Sequence, residues 1–308
     1  MGKKEPTELA KIIDRIKDKV GTKTKAEVDQ YYRDIKASQQ ITQTTERIKK
    51  ELVKHAPEQE QQIFSFLPTK MTRVSPFFPL SKRDMKDRPL EELTWESSWG
   101  RLTVSGKRLS IYDESVLLAV LLLMRKHKTG TFQTTRYEIC GVMNVKPAKD
   151  TYNAVWESLK RLTKTGIDLE IWEGKGKKRK TKIEMTTTIL SGAVHTEKYQ
   201  ITVNPYFLEM YGEGFLTNLD LRFRASLTGD ITKALYRFYE GQRDTTYQCH
   251  VLTLSKAVNL NMNLSNNDLR KHIRKGLREL RTKGYFKRWS ISKSDIVSVW
   301  RAAKIALK

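Results

Sequence analysis

"SLKRLTKTGIDLEIW" (Ser158–Trp172) and "GLRELRTKGYFKRWS" (Gly276–Ser290) are two versions of one pattern. Leu159, Leu162 and Gly166 of the first stretch recur as Leu277, Leu280 and Gly284 of the second, each pair 118 residues apart. Asp150 and Asp268 keep the same offset. Each copy reads as a capped helix with its leucines on one face, closed by a glycine in the C′ position and followed by a strand. Working outward, a short helix precedes each copy, around residues 139–143 and around 255–260, and an apolar helix precedes that, over 116–127 and 231–241. A repeated unit of three helices and a hairpin is the layout of a winged helix-turn-helix. The expected fold is α+β: tandem winged helix-turn-helix domains with a helical N-terminal arm.

The remaining segments fill in this plan. Residues 1–56 read as the arm: Leu9, Ile12, Ile13, Ile16 and Val20 fall at helical spacing, and a second helical stretch follows over 26–54. Residues 57–92 read as a linker, because five of the eight prolines fall between Pro57 and Pro89. The two winged-helix domains are expected over 93–211 and 212–308. In the first, "GRLTVSGKRLSIYD" (100–113) reads as a hairpin turning at Ser105-Gly106, with Asp113 as N-cap of the apolar helix. "GTFQTT" reads as a short strand, Arg136–Met143 as a brief helix, and Asp150 as the cap of a helix to about Lys164. "IDLEIWE", "KIEMTTTIL" and "EKYQITV" read as strands, followed by a loop through "YGEG".

Composition narrows the partners. Lys and Arg number 58 against 35 Asp and Glu, a net charge of +23, which favours a polyanion and nucleic acid first of all. Two cysteines, Cys140 and Cys249, are too few for a disulfide framework and read as reduced thiols of a cytoplasmic protein. No apolar segment follows "MGKKEPTELA", so no secretory signal is expected. The longest apolar run, 116–124, is too short to span a bilayer, and no membrane partner is expected.

The helices sort their charge. At 100° per residue, Leu269, Ile273, Leu277 and Leu280 share one arc of the second long helix. Arg270, Lys271, Arg274, Lys275, Arg278 and Arg281 take the opposite side, with Asn266 and Asn267 at the helix start and Lys283 at its end. In the first long helix, Lys149, Asn153, Glu157, Lys160 and Lys164 face outward, with Arg161 at the edge. Asn can read adenine and Glu can accept from cytosine, so this face suits base readout, whereas the second suits phosphate. Between the two strands after the first helix lies "EGKGKKRKTK" (173–182), whose Lys175, Lys177, Lys178, Arg179 and Lys180 sit where a wing tip would touch the DNA backbone.

From Pro76 onward the chain carries a family signal. The W-x-x-x-W-G over 95–100 and the G-x-x-L-S-I-x-D-E-x-x-L-L over 106–118 closely resemble plasmid-encoded RepA/TrfA-type replication initiators. That resemblance implies tandem winged helices that bind direct repeats (iterons) in double-stranded DNA at a plasmid origin. It further implies melting of adjacent AT-rich DNA, recruitment of the host helicase and DnaA in a bacterial cytoplasm, and a monomer on DNA with a dimer off it. A winged-helix transcriptional regulator of a plasmid operon is the alternative reading. A second similarity is "QIFSF": Gln62, Ile63 and Phe66 match a peptide that docks on bacterial sliding clamps.

No enzyme is expected. "GRLTVSGKR" has five residues between Gly100 and Gly106 and Arg108 after Lys107, which breaks the phosphate-loop pattern. The five histidines are scattered, without the His-x-His of a nicking metalloenzyme. Neither catalytic residues nor metal ligands nor a cofactor are expected.

Overall fold

A computed structural model describes residues 64–73, 75–80, 84, 90–97, 100–173, 180–212, 216–242 and 244–302. The expected arm (1–56) lies outside these residues. The elements in order are β1 (Phe64–Pro68), α1 (Thr69–Arg73), β2 (Phe77–Phe78), β3 (Leu90–Ser97), β4 (Gly100–Lys107), β5 (Leu109–Ser110), α2 (Ile111–His127), β6 (Thr131–Thr134), α3 (Arg136–Met143) and α4 (Lys149–Lys164). There follow β7 (Gly166–Glu173), β8 (Lys180–Thr188), β9 (Leu190–His195), β10 (Tyr199–Val203), α5 (Pro205–Gly212), β11 (Leu216–Asp220), α6 (Leu221–Ser226) and α7 (Asp230–Glu240). The chain ends with β12 (Thr246–His250), α8 (Val251–Ala257), α9 (Asn266–Thr282), β13 (Phe286–Ile291) and β14 (Ile296–Arg301).

The fold is mixed α/β and visibly duplicated. The series α2, α3, α4 and the β7–β8 hairpin is matched by α7, α8, α9 and the β13–β14 hairpin. The last helical residues, Lys164 and Thr282, are 118 positions apart, so the offset read from the leucines holds in the backbone. All four of those leucines are fully buried. The sheets differ: β7 and β8 extend an antiparallel sheet of order β3-β4-β7-β8, whereas the second half carries β12-β14-β13. Alternate residues Ile167, Leu169 and Ile171 of β7 point into the core, the period-two pattern of a half-covered strand. A third sheet, β6-β10-β9, flanks the first half.

Helix α2 is apolar all round and is correspondingly interior, with every residue from Val116 to Met124 buried. Its N-cap is Ser110, not Asp113. Ser110 Oγ accepts the Asp113 amide at 3.3 Å while Asp113 Oδ2 accepts the Ser110 amide at 2.7 Å, a reciprocal capping box. The hairpin around it also departs from expectation. No turn occurs at Ser105-Gly106: β4 runs through it, and its hairpin partner is β3, paired from Leu90–Lys107 to Ser97–Gly100. A Cβ on Gly100 would lie 2.1 Å from the Glu170 carbonyl oxygen, so only glycine lets β4 and β7 approach there.

Further corrections concern ends. Helix α4 starts from Ala148 without a side-chain cap, and Asp150 lies inside its first turn. Gly166 is not a left-handed cap; it opens β7, pressed against Ser105. Gly284 does adopt positive φ, at 80°, as its C′ position requires. Asp268 lies in the first turn of α9 behind the true cap, Ser265, whose Oγ accepts its amide at 3.2 Å. Helix α8 begins at Val251 because His250 Nδ1 accepts the Leu252 amide, so it lies earlier than the expected 255–260. Where a loop was expected before "YGEG", α5 forms and buries Phe207 and Leu208.

The largest correction falls on the linker. Residues 64–78 are a strap built into both halves. Strand β1 pairs antiparallel with β11, Ser65 Oγ donates to the Leu118 carbonyl of α2 at 3.0 Å, and β2 pairs in parallel with β5. On the other side Arg73 donates twice to the Gly241 carbonyl, and Asn259 Nδ2 donates to the carbonyls of Ser75 and Phe77. Leu67, Met71 and Phe77 are buried in the common core. Among the described residues no helix is long and apolar enough to cross a membrane.

Candidate nucleic-acid interface

Helix α9 owes its orientation to its inner face. Leu269, Ile273, Gly276, Leu277 and Leu280 are buried. A Cβ on Gly276 would come within 2.6 Å of Leu235, so this glycine lets α9 close onto α7. Glu279 anchors the same contact. Its carboxylate accepts from the Thr228 amide and from the Thr232 hydroxyl, each at 2.6 Å, which satisfies donors at the start of α7. Burial raises the Glu279 pKa, but these hydrogen bonds and that of the Gly229 amide outweigh it and hold the carboxyl below its ordinary range.

With α9 fixed this way, Asn266, Asn267, Lys271, Arg274, Lys275, Arg278 and Arg281 all point to solvent, and Lys283 follows at the C-cap. None of these cations has an ion-pair partner among the described residues. Five like charges along one exposed helix face repel each other and suit a polyanion. Arg270 is different: its guanidinium donates to Asp295 Oδ1 at 2.5 Å and to the Ser292 carbonyl at 3.1 Å. It ties α9 to the β13–β14 turn and is not presented outward.

Helix α4 buries Val155, Ser158, Leu159 and Leu162 and exposes Lys149, Asn153, Glu157 and Lys164. Lys160, half-buried, pairs with Glu157 one turn back. Arg161, expected at the edge of the outer face, turns inward: Nη2 and Nε lie 2.7 and 3.1 Å from Oδ1 of the fully buried Asp113. Desolvating Asp113 demands such a partner, so this arginine holds the helix in place. Behind α4, Trp156 stacks on Tyr199 with centroids 5.5 Å apart, and Arg136 lies over Tyr152 and Tyr199.

Of the expected hairpin tip, Lys175, Lys177, Lys178 and Arg179 lie outside the described residues. Lys180 is described, exposed, and paired in register with Glu173. The second hairpin was expected from the repeat, but its cations were not among the expected site residues. Lys287, Arg288 and Lys293 are all exposed there, with Arg288 packed 4.0 Å from the Trp300 ring centroid. Their signal was available, since the duplication that predicts one hairpin after Gly166 predicts another after Gly284.

Of the clamp-peptide candidates, Gln62 and Ile63 lie outside the described residues. Phe66 is a residue of β1, paired with Asn218 and covered by the Arg125 guanidinium at 5.1 Å. A docked clamp would have to strip β1 from β11, so Phe66 is corrected to a structural role. Among the described residues no group of three or more His, Cys, Asp and Glu is placed to hold a metal ion. A cavity of about 110 Å³ lies where the halves meet, lined by Tyr112, Ser115, Met143, Arg224, Asp230 and Lys233 among others. Burial there pushes the Tyr112 hydroxyl up to about 12.

The two halves repeat one order, three helices followed by a hairpin, and the third helix of each carries a polar or cationic outer face. The Replication initiator protein A family model matches residues 69–283, and the chain belongs to that family of replication initiators. The fold is similar to that of domains 2 and 3 of RctB, with a TM-score of 0.53 at 13% identity, covering 77% of this chain and 99% of that one. A second structure of RctB domains 2–3 gives a TM-score of 0.50 at 13% identity, covering 76% and 97%. Comparison with curated protein sequences gives no match.

Proposed function

We propose that the chain initiates plasmid replication by binding iterons, repeated double-stranded sites at an origin, through two winged-helix modules. The observation that carries this reading is α9, whose inner face is locked on α7 while Lys271, Arg274, Lys275, Arg278 and Arg281 stand free on its outer face. Helix α9 lies along phosphates. Helix α4 enters a second major groove, where Asn153 and Glu157 reach base edges and Lys149 and Lys164 reach the backbone. The β7–β8 and β13–β14 hairpins serve as the wings. Bound this way, the protein opens neighbouring AT-rich DNA and gathers the host helicase and DnaA, acting by binding and not by catalysis.

Footprinting on a cognate repeat tests the reading. Protection of two successive major-groove segments on one side of the duplex is expected, with a slope of about −7 in log K against log[salt] if about eight phosphates are neutralised. Equal affinity for repeat and random DNA would refute sequence reading by these helices.

A further inference from the structure

Asp113 and Glu114 are neighbours in the first turn of α2, both fully buried, and their carboxylates serve different halves. Asp113 holds α4 through Arg161. Glu114 Oε2 accepts from Arg224 of α6 at 2.9 Å and from Arg237 of α7 at 2.8 Å. Arg224 also donates to Ser115 at 2.9 Å. From α7 the path continues to α9 through Glu279 and the close approach at Gly276. A chain of directional contacts thus runs from α4 through Arg161, Asp113, Glu114 and Arg237 to α7 and α9.

This arrangement is a poor way to gain stability. One carboxylate serves two buried guanidinium groups, and Glu114 Oε1 together with Arg237 Nε and Nη2 has no hydrogen-bond partner. Such a buried set is often replaced by apolar residues without loss. What charged, hydrogen-bonded contacts provide and apolar ones do not is a fixed direction, since an oily seam can slide while a guanidinium on a carboxylate cannot.

We propose that Asp113 and Glu114 are a positioning pair that sets the separation of α4 and α9, so that the chain selects DNA with one spacing between its two contacted segments. The proposal rests on the DNA-binding reading above. The consequence is specificity by geometry: an iteron is recognised by the distance between its two halves as well as by their bases.

The test is a spacing series. Duplexes carrying the two footprinted segments with zero to five inserted base pairs are titrated with the full chain and with Glu114→Gln. The wild type is expected to show one optimum and to lose about tenfold or more, roughly 1.4 kcal/mol, per displaced spacing. Glu114→Gln is expected to flatten that profile to within about threefold, roughly 0.65 kcal/mol. If Glu114→Gln does not fold, the apolar triple variant Glu114→Leu, Arg224→Met, Arg237→Leu keeps the volume without the direction and takes its place. A variant profile as sharp as the wild type's overturns the proposal and assigns the separation to the strap of residues 64–78 instead. A wild type that binds none of the duplexes overturns the DNA-binding reading itself.

Discussion

Leu67→Ala distinguishes a strap from a linker. Leu67 lies in β1, 1% exposed, opposite Thr217 of β11 and within the common core. Truncating a leucine in such a site removes its transfer energy and leaves a cavity the strand cannot collapse into, because Ser65 and the β11 register hold the backbone. The expected cost is about 3 kcal/mol. For a folded region of this size that corresponds to a fall of roughly 6–12 °C in Tm. Urea unfolding followed by far-UV circular dichroism and by tryptophan fluorescence supplies the free energy. Because β1 touches α2 and β11 together, both probes should report the same loss in one transition. The reasoning fails if Leu67→Ala unfolds within about 0.5 kcal/mol of wild type, the value for an exposed linker residue.

Three further outcomes are expected. Arg274→Ala combined with Arg278→Ala should weaken repeat binding by a few kcal/mol and reduce the salt slope by about two, read from affinities at several salt concentrations. Arg161→Ala should lower stability by about 3 kcal/mol because it strands buried Asp113, whereas Lys164→Ala should leave thermal unfolding unchanged within about 0.5 kcal/mol and weaken DNA binding only. Glu279 has a folded pKa below its unfolded value, so its stabilisation is present above about pH 4.3 and is lost as the pH falls through the depressed value. Thr232→Val, which removes one of the donors responsible, should shrink that acid loss in a pH series of denaturant midpoints.

Much of the fold was legible because it is periodic. Leu269, Ile273, Leu277 and Leu280 recur at helical spacing among cations, which leaves one side for the core and the other for solvent. Arg136–Met143 forms over the expected residues, closed by Asn144 at φ 53°. What could not be read locally are contacts made across the chain. Pro68 and Pro76 punctuate the strap like a linker, and nothing near them announces that Leu67 pairs with Thr217 of β11 or that Asn259 donates to the carbonyls of Ser75 and Phe77. The α2 cap failed for a related reason: Ser110 and Asp113 both suit an N-cap, and the capping box uses the two reciprocally.

The candidate site divides along the same line. Sequence shows that a helix carries charge, but not whether that charge is available. Arg161 and Arg270 look like their neighbours on a helical wheel, yet the first is taken by Asp113, 48 residues upstream, and the second by Asp295, 25 residues downstream. Both are arginines, whose planar fork can satisfy a carboxylate and a neighbouring acceptor at once, a task the lysine ammonium performs less directionally. The cations left over on α9 have no such acidic partner among the described residues. Helices α4 and α9 are thus each held by one arginine that is turned to an acidic partner, Arg161 on α4 and Arg270 on α9. If these helices carry the proposed DNA contacts, a substitution at Arg161 or Arg270 should disturb binding through the orientation of its helix before it changes the count of phosphate contacts.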